Sequence, residues 1–322
     1  MPELSYTGRV ACIGEAMVEL MLGSADSEDA RFAFAGDTLN TAIYLKRLLP
    51  SAAQVSYISV LGQDPLSRRM VDFIRSEGID TQHIGRSKDR SIGLYAIETD
   101  DSGERTFSYW RGQSAARTLF QQADELDFSA LANFDSLCLS AITLAILPAH
   151  VRHALLAELA RLRADNNVTV IFDSNYRPAL WESVEIAREV VAAAWRITDI
   201  ALPSIDDEQA LFADADQPTT LSRLQGYGIN NGALKRGAQG PLALGNDFEE
   251  SKPELWAELW AELWDASHVK IVDTTAAGDS FNAGYLASRL SGATEQDAML
   301  AGHHCSLRVI AHAGAIIPLD QW

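Results

Sequence analysis

The amino-acid sequence predicts a layered α/β fold built on a parallel sheet, on three observations. Short apolar, β-branched runs alternate with helix-period stretches over most of the 322 residues, the pattern of parallel strands joined by crossover helices. One segment breaks that alternation with two strand-like runs separated by turn-forming residues, which suits a hairpin projecting from the main sheet. The chain is 47% hydrophobic, 22% charged and 8% aromatic, so it can bury a sizeable core.

Strands are expected at 10–13, 55–60, 136–139, 168–172, 200–202 and 269–272. Helices are expected at 38–49, where Leu39, Ile43 and Leu48 share a face, and at 149–163, where Val151, Leu155, Leu159 and Leu162 do. The hairpin comprises 93–98 and 105–110, joined by the Asp-, Ser- and Gly-containing stretch 99–104. With the stretch 17–35 it is expected to form a lid over a site, within a single domain spanning 1–322 whose lid segments are about 17–35 and 92–111. Between residues 254 and 265 a Glu-Leu-Trp repeat sets Trp256, Trp260 and Trp264 four apart, with Glu254, Glu258 and Glu262 on a second stripe of a helix. It reads either as a docking or oligomer surface or, more plainly, as a short duplicated insertion packing its own stripe; no cofactor follows from it.

Charge narrows the partners. Twenty-six basic against 44 acidic side chains leave a net charge of -18, which repels nucleic acid and anionic membranes. Five of the cations are lysines (Lys46, Lys88, Lys235, Lys252, Lys270) and the others arginines, the better residue for forked contacts to carboxylate and phosphate. Any anion is therefore expected to be held locally. Cys12, Cys138 and Cys305 are widely spaced and odd in number, which argues for reduced core residues and against a disulfide framework or a zinc site. Glu15 and Glu19 interrupt the apolar run 10–22, no leader pattern fits, and no window approaches a membrane span. A cytoplasmic protein is expected.

The strongest chemical signal is Val269-Lys-Ile-Val-Asp-Thr-Thr-Ala-Ala-Gly-Asp-Ser-Phe-Asn-Ala-Gly, an apolar run ending in a small-residue turn that opens a helix. The amides of Ala276, Ala277 and Gly278 are expected to point unpaired ahead of that helix as an anion hole, reinforced by the helix dipole. Asp279, in the first turn, is placed to accept a proton from an attacking hydroxyl. The competing reading of Asp279 is a carboxylate that only answers the dipole.

The stretch 273–279 matches the signature of the ribokinase-like carbohydrate kinases of the PfkB family. The match extends to Gly14-Glu-Ala-Met-Val-Glu-Leu, Gly36-Asp-Thr-Leu-Asn-Thr-Ala, Leu94-Tyr-Ala-Ile-Glu-Thr, Gly103-Glu-Arg-Thr-Phe-Ser-Tyr-Trp-Arg, Phe172-Asp-Ser-Asn-Tyr-Arg-Pro-Ala-Leu-Trp, Lys235-Arg-Gly and Gly314-Ala-Ile-Ile-Pro. These blocks run in family order over almost the whole chain and resemble the members that act on 2-keto-3-deoxygluconate. The resemblance implies a three-layer α/β/α ribokinase-like sandwich with a small β-sheet lid, ATP at one end of the cleft and a sugar acid beneath the lid. The implied reaction is ATP-dependent phosphorylation of the 6-hydroxyl of 2-keto-3-deoxy-D-gluconate. Mg²⁺ is expected to arrive with the phosphates, with no dedicated protein cage. The open alternatives are a family kinase for a neutral sugar such as fructose or ribose, and a sugar-acid-binding regulator without catalysis.

Residue by residue, the resemblance implies that Gly36 permits close approach and that Asp37 and Asn40 meet sugar hydroxyls, the alternative for Asp37 being a helix cap. Arg111 and Arg177 are the cations placed to grip a carboxylate bidentately, with Arg177 and Asn175 also placed to reach phosphate oxygens. Tyr95 and Tyr109 offer hydroxyls and apolar faces, or simply pack the hairpin. On the nucleotide side stand Asn175, Lys235, Gly237, Gly240 and Gly278, with Ser204 beside Asp206 and Asp207, the alternative for Ser204 being a cap. His303 and His304 adjoin Cys305 but diverge on a helix and cannot chelate; they are read as wall. Two departures from the family pattern, Ala35 and Gly112-Gln113, bear on sugar preference. The exposed edge of a lid sheet leads us to expect a homo-oligomer, a dimer or higher.

Overall fold

A computed structural model describes residues 5–23, 29–99, 105–122, 125–166, 168–245 and 270–322. The tryptophan repeat at 254–265, most of the hairpin turn at 99–104 and Val269 lie outside the described residues. In chain order the principal elements are β1 (Arg9–Ile13), β2 (Met17–Leu22), β3 (Ala30–Ala35), α1 (Asp37–Leu48), β4 (Gln54–Leu61), α2 (Pro65–Ser76), β5 (Ile84–Arg86), β6 (Gly93–Thr99) and β7 (Arg105–Trp110). After two short pairing strands, β8 (Gln121–Gln122) and β9 (Glu125–Leu126), come β10 (Ser136–Ser140), α3 (Ala141–Ile146), α4 (Ala149–Asn166), β11 (Thr169–Asp173), α5 (Val184–Arg196), β12 (Ile200–Ala201), α6 (Ile205–Phe212) and α7 (Gln217–Gly226). The chain closes with β13 (Ala233–Leu234), β14 (Leu242–Ala243), α8 (Ala277–Leu290) and α9 (Glu295–Ile310).

The large sheet runs β12-β11-β10-β1-β4-β5, with every pairing parallel. Its strands are apolar on both faces because helices cover both. Along β1 the faces alternate with period two: Ala11 and Ile13 join a core with Leu155 of α4 and Trp195 of α5, while Val10 and Cys12 join a second core with Ile43 of α1 and Tyr285 of α8. The predicted three-layer α/β/α sandwich is therefore the observed one. On α4, Val151, Leu155, Leu159 and Leu162 are all fully buried, as their spacing predicts.

A second, four-stranded sheet has the order β3-β2-β6-β7. The predicted hairpin pairs with Tyr95 opposite Tyr109, and β2 joins it in parallel with Met17 opposite Gly93. The stretch 17–35 and the hairpin thus belong to one sheet. Register places Glu19, Tyr95 and Tyr109 on one face, together with Phe107 two residues along.

The expected strand at 269–272 does not form over its described residues. Ile271 and Val272 are 60% and 47% exposed, and the amides of Val272 and Asp273 donate to the Ile310 carbonyl at 2.8 and 3.1 Å. The backbone here satisfies an orphan carbonyl at the C-terminal end of α9 instead of entering a sheet ladder. Among the described residues no helix is long and apolar enough to cross a membrane.

Candidate active site

A cavity of about 1450 Å³ opens where the carboxyl ends of the central strands face the second sheet, the position where open α/β sheets bind ligands. Asp173 at the end of β11, the start of α1, the start of α8 and the face of β6 and β7 bearing Tyr95 and Tyr109 all contribute to its wall. Every sequence-predicted site residue lines it except Gly240. Gly240 instead closes a one-turn 3-10 helix at positive φ (75°), and its carbonyl accepts from Arg236 Nε at 2.8 Å. It shapes the loop that presents Gly237.

At the start of α8, Ala276 occupies the left-handed region (φ 61°, ψ 16°) at the N-cap position without a side-chain cap, a conformation unfavourable for alanine. The turn is held by Asp273, whose two oxygens accept from the Thr275 amide and the Gly314 amide, each at 2.8 Å. The expected trio of unpaired amides is reduced to two. Ala277 N–H donates to the Thr274 carbonyl at 3.2 Å, because the turn that flips Ala276 closes on itself. The amides of Ala276 and Gly278 have no hydrogen bond among the described residues and stand at the positive end of a 14-residue helix.

Asp279 faces the cavity from this first turn. Burial pushes its carboxyl up to about 8; the nearby charges of Asp37 and Asp173 push the same way, while the Asn40 hydrogen bond and Lys235 oppose them. Asn40 Nδ2 donates to Asp279 Oδ2 at 2.8 Å, and Thr41 Oγ1 donates to the Asp279 carbonyl at 3.2 Å. Asn40 thus lies on the cavity wall as predicted but is already engaged with Asp279.

Asp37 opens α1 but does not cap it; the N-cap is Gly36. The Asp37 carboxylate accepts from Ser140 Oγ and from Asn175 Nδ2, the latter at 3.0 Å, and burial raises its pKa. Gly36 is required by the fold itself: a Cβ there would lie 2.3 Å from the Glu15 carbonyl oxygen. The bare backbone there admits the Glu15 carbonyl after β1, and Gly36 also lines the cavity.

Lys235 projects between α8 and β11. Its Nζ donates to Asp173 Oδ1 at 2.9 Å and to Asn282 Oδ1 at 3.0 Å, and Asn282 Nδ2 donates to Asp173 Oδ2 at 2.6 Å. A Cβ on Gly278 would be 3.7 Å from Lys235 Nζ, so the ammonium stands beside the two open amides. Asp173 and Asn282 are functional candidates missed by sequence reasoning. Each sits inside a recognised block, yet nothing local ties them to Lys235.

The two expected carboxylate grips differ. Arg177 is half-exposed and pairs with Asp207 at 3.2 Å, whereas Arg111 is buried against Glu15. The Tyr95 hydroxyl donates to Glu19 and is held above its usual pKa by burial and that carboxylate. Tyr109 is 54% exposed, its ring tilted against Tyr95 at 5.8 Å. Ser204 precedes α6 at the N-cap position without making a side-chain cap, and its amide donates to Ser174 Oγ at 2.8 Å. His303 lines the cavity, and among the described residues no cluster has a metal-binding arrangement.

A family model described as pfkB family carbohydrate kinase matches residues 7–322. The chain is 42% identical over 315 residues to the 2-dehydro-3-deoxygluconokinase of Escherichia coli (strain K12), covering 97% of this chain and 98% of that protein. It is 43% identical over 316 residues to the 2-dehydro-3-deoxygluconokinase of Dickeya dadantii (strain 3937), covering 98% of each. Among solved structures its fold is similar to a PfkB protein from Polaromonas sp. JS666, with a TM-score of 0.76 at 24% identity, covering 93% of this chain and 94% of that one. It is also similar to a putative ribokinase II from E. coli in complex with ATP and Mg²⁺, with a TM-score of 0.77 at 20% identity, covering 96% and 94%. Because the family match runs unbroken through the start of α1, the end of β11 and the Asp279 turn, the elements that build the cavity are family elements: this chain belongs to the pfkB family of carbohydrate kinases.

Proposed function

We propose that the protein transfers the terminal phosphoryl group of Mg²⁺-ATP to the 6-hydroxyl of 2-keto-3-deoxy-D-gluconate, giving the 6-phosphate and ADP. The observation that carries the reading is the Asp279 carboxyl beside two open amides and the Lys235 ammonium on one cavity wall, in a chain whose near-full-length relatives bear the name of that activity. Asp279 takes the hydroxyl proton as the sugar oxygen bonds to phosphorus and the bond to the leaving ADP oxygen breaks. The Ala276 and Gly278 amides and Lys235 meet the charge that develops on the phosphoryl oxygens.

The residues present fit a nucleotide triphosphate. Two unpaired amides at a helix N-terminus and the partly buried Lys235 suit phosphate oxygens, and Asp206 and Asp207, which line the same cavity, suit the waters of a phosphate-bound Mg²⁺. When bound, the ion would neutralise phosphate charge. Gly237, Ser204 and Asn175 belong to this end in our reading, and Gly36, Asp37, Tyr95, Tyr109, Arg111 and Arg177 to the sugar end. The second sheet acts as a lid that excludes water when it closes. Its exposed Phe32 and Trp110, on the face away from Tyr95 and Tyr109, suit contact with a second copy, and three free buried cysteines suit a reducing, cytoplasmic setting.

ADP release measured with 2-keto-3-deoxygluconate, fructose and ribose in parallel tests the reading. Turnover confined to the sugar acid is expected. Turnover on a neutral sugar instead would overturn the substrate, and none on any of the three would overturn the catalytic reading.

A further inference from the structure

Arg111 follows the end of β7 and lines the cavity, but it does not meet the cavity as a free cation. Its Nε donates to Glu15 Oε2 at 2.8 Å, and its Nη2 donates to the same oxygen. Glu15 is 1% exposed and Arg111 8%. Two donors converging on one oxygen fix the plane of the guanidinium, and Nη1 makes no hydrogen bond among the described residues. Glu15 lies two residues beyond β1, a central strand of the large sheet, so an arginine that follows the small sheet is anchored to the chain leaving the large one.

The anchor is costly to the fold. Glu15 Oε1 is buried with no hydrogen-bond partner among the described residues, an arrangement that destabilises and calls for a reason. Gly93 makes the room for it: a Cβ there would stand 2.7 Å from Oε1 and 3.4 Å from Arg111 Cβ.

We propose that Glu15 is a positioning residue for the sugar acid, holding Arg111 by its Nε–Nη2 edge so that Nη1 is delivered to the substrate carboxylate. The proposal rests on the sugar-acid reading above. A carboxylate that drew the whole guanidinium to itself would strand Glu15 as an uncompensated buried charge. One that accepts a single directed bond from Nη1 leaves the pair intact. Glu15 thus converts a mobile cation into a fixed donor, and the cavity recognises the acid by geometry as well as by charge.

The test is a double-mutant cycle read by steady-state kinetics with 2-keto-3-deoxygluconate and ATP, using Glu15→Ala, Arg111→Ala and the pair, with folding checked by circular dichroism. Glu15→Gln, which keeps the shape, supplies the cycle if the alanine variant fails to fold. We expect Glu15→Ala to raise the sugar-acid KM by about tenfold or more with kcat changed less than about threefold, since the contact lies far from the transferred group. The ATP KM should hold, and the double variant should be no worse than Arg111→Ala alone. Gly93→Ala should reproduce the Glu15→Ala phenotype, again only while Arg111 is present. Additive losses, or an unchanged KM, overturn the role of Glu15 while leaving the substrate standing. A wild-type enzyme that turns over fructose or ribose but not the sugar acid overturns the substrate reading and this proposal together.

Discussion

Asn40 holds Asp279 from a neighbouring helix: its Nδ2 donates to Asp279 Oδ2 at 2.8 Å while its Oδ1 accepts from the Gly36 amide at 3.4 Å. The Gly36 bond fixes which way the amide points, so the NH₂ group is aimed at the carboxylate. A donor there favours the ionised form, and Asn40 is one of the two groups that pull the Asp279 pKa down against burial.

Asn40→Ala removes that pull. Asp279 should then titrate above about 8, so less of it is ionised at neutral pH and turnover at pH 7 should fall by about tenfold for each unit of added shift. The loss should shrink as the assay pH is raised to 9, where the carboxyl ionises in both proteins. A loss equal at both pH values would assign Asn40 to sugar binding alone.

Asp37 acts in the opposite sense. Its negative charge is the second-largest cause, after burial, of the raised Asp279 pKa. Wild-type kcat/KM for the sugar should therefore rise with pH and level off above about 8. Asp37→Asn should move that rising limb to lower pH by about one unit while raising the sugar KM, because Asp37 itself lines the cavity. A limb that stays in place in this variant would show that the two carboxyls do not sense each other.

The sequence carries what is contiguous and misses what is folded together. The Asp279 turn is legible as a helix-opening turn because Asp273, Ala276, Gly278 and Asp279 lie within seven residues, while the left-handed Ala276 and the pairing of the Ala277 amide that comes with it are not. The core face of α4 reads correctly because helical spacing alone sets it. Lys235 was visible as a cation, but Asp173 and Asn282, which hold it, are 62 and 47 residues away. Arg111 was visible as a grip, but its partner Glu15 is 96 residues away. The apolar run at 269–272 reads as a strand, and periodicity cannot tell whether a sheet edge is available to receive it.

Gly36 makes a structural prediction. A methyl group on it would meet the Glu15 carbonyl oxygen at 2.3 Å; the oxygen is backbone and the position of a Cβ is set by the backbone, so neither a rotamer change nor a small side-chain shift relieves it. Gly36→Ala should lower Tm and displace the start of α1. Asp37 and Asn40 ride on that first turn, so activity should fall further than the loss of folded protein explains. Wild-type kinetics in this variant would mean that the loop after Ile13 yields freely.

Asp279→Asn separates chemistry from stability. Turnover should be abolished, since no carboxylate remains to take the hydroxyl proton, while sugar and nucleotide still bind by calorimetry; retained turnover would remove Asp279 as the base. The stability effect has a definite sign. The folded protein holds Asp279 at about 8, above the ordinary unfolded value of about 3.9, so the stabilising preference for the neutral form is complete below about 4 and is lost as pH rises through about 8. A neutral asparagine of the same shape escapes that loss. Asp279→Asn should therefore melt higher than the wild type, with the gap widest at pH 8–9 and narrowing toward pH 5 in paired thermal scans. A variant that melts lower than the wild type across this range would show that the buried Asp279 carboxyl stabilises the fold in its ionised form.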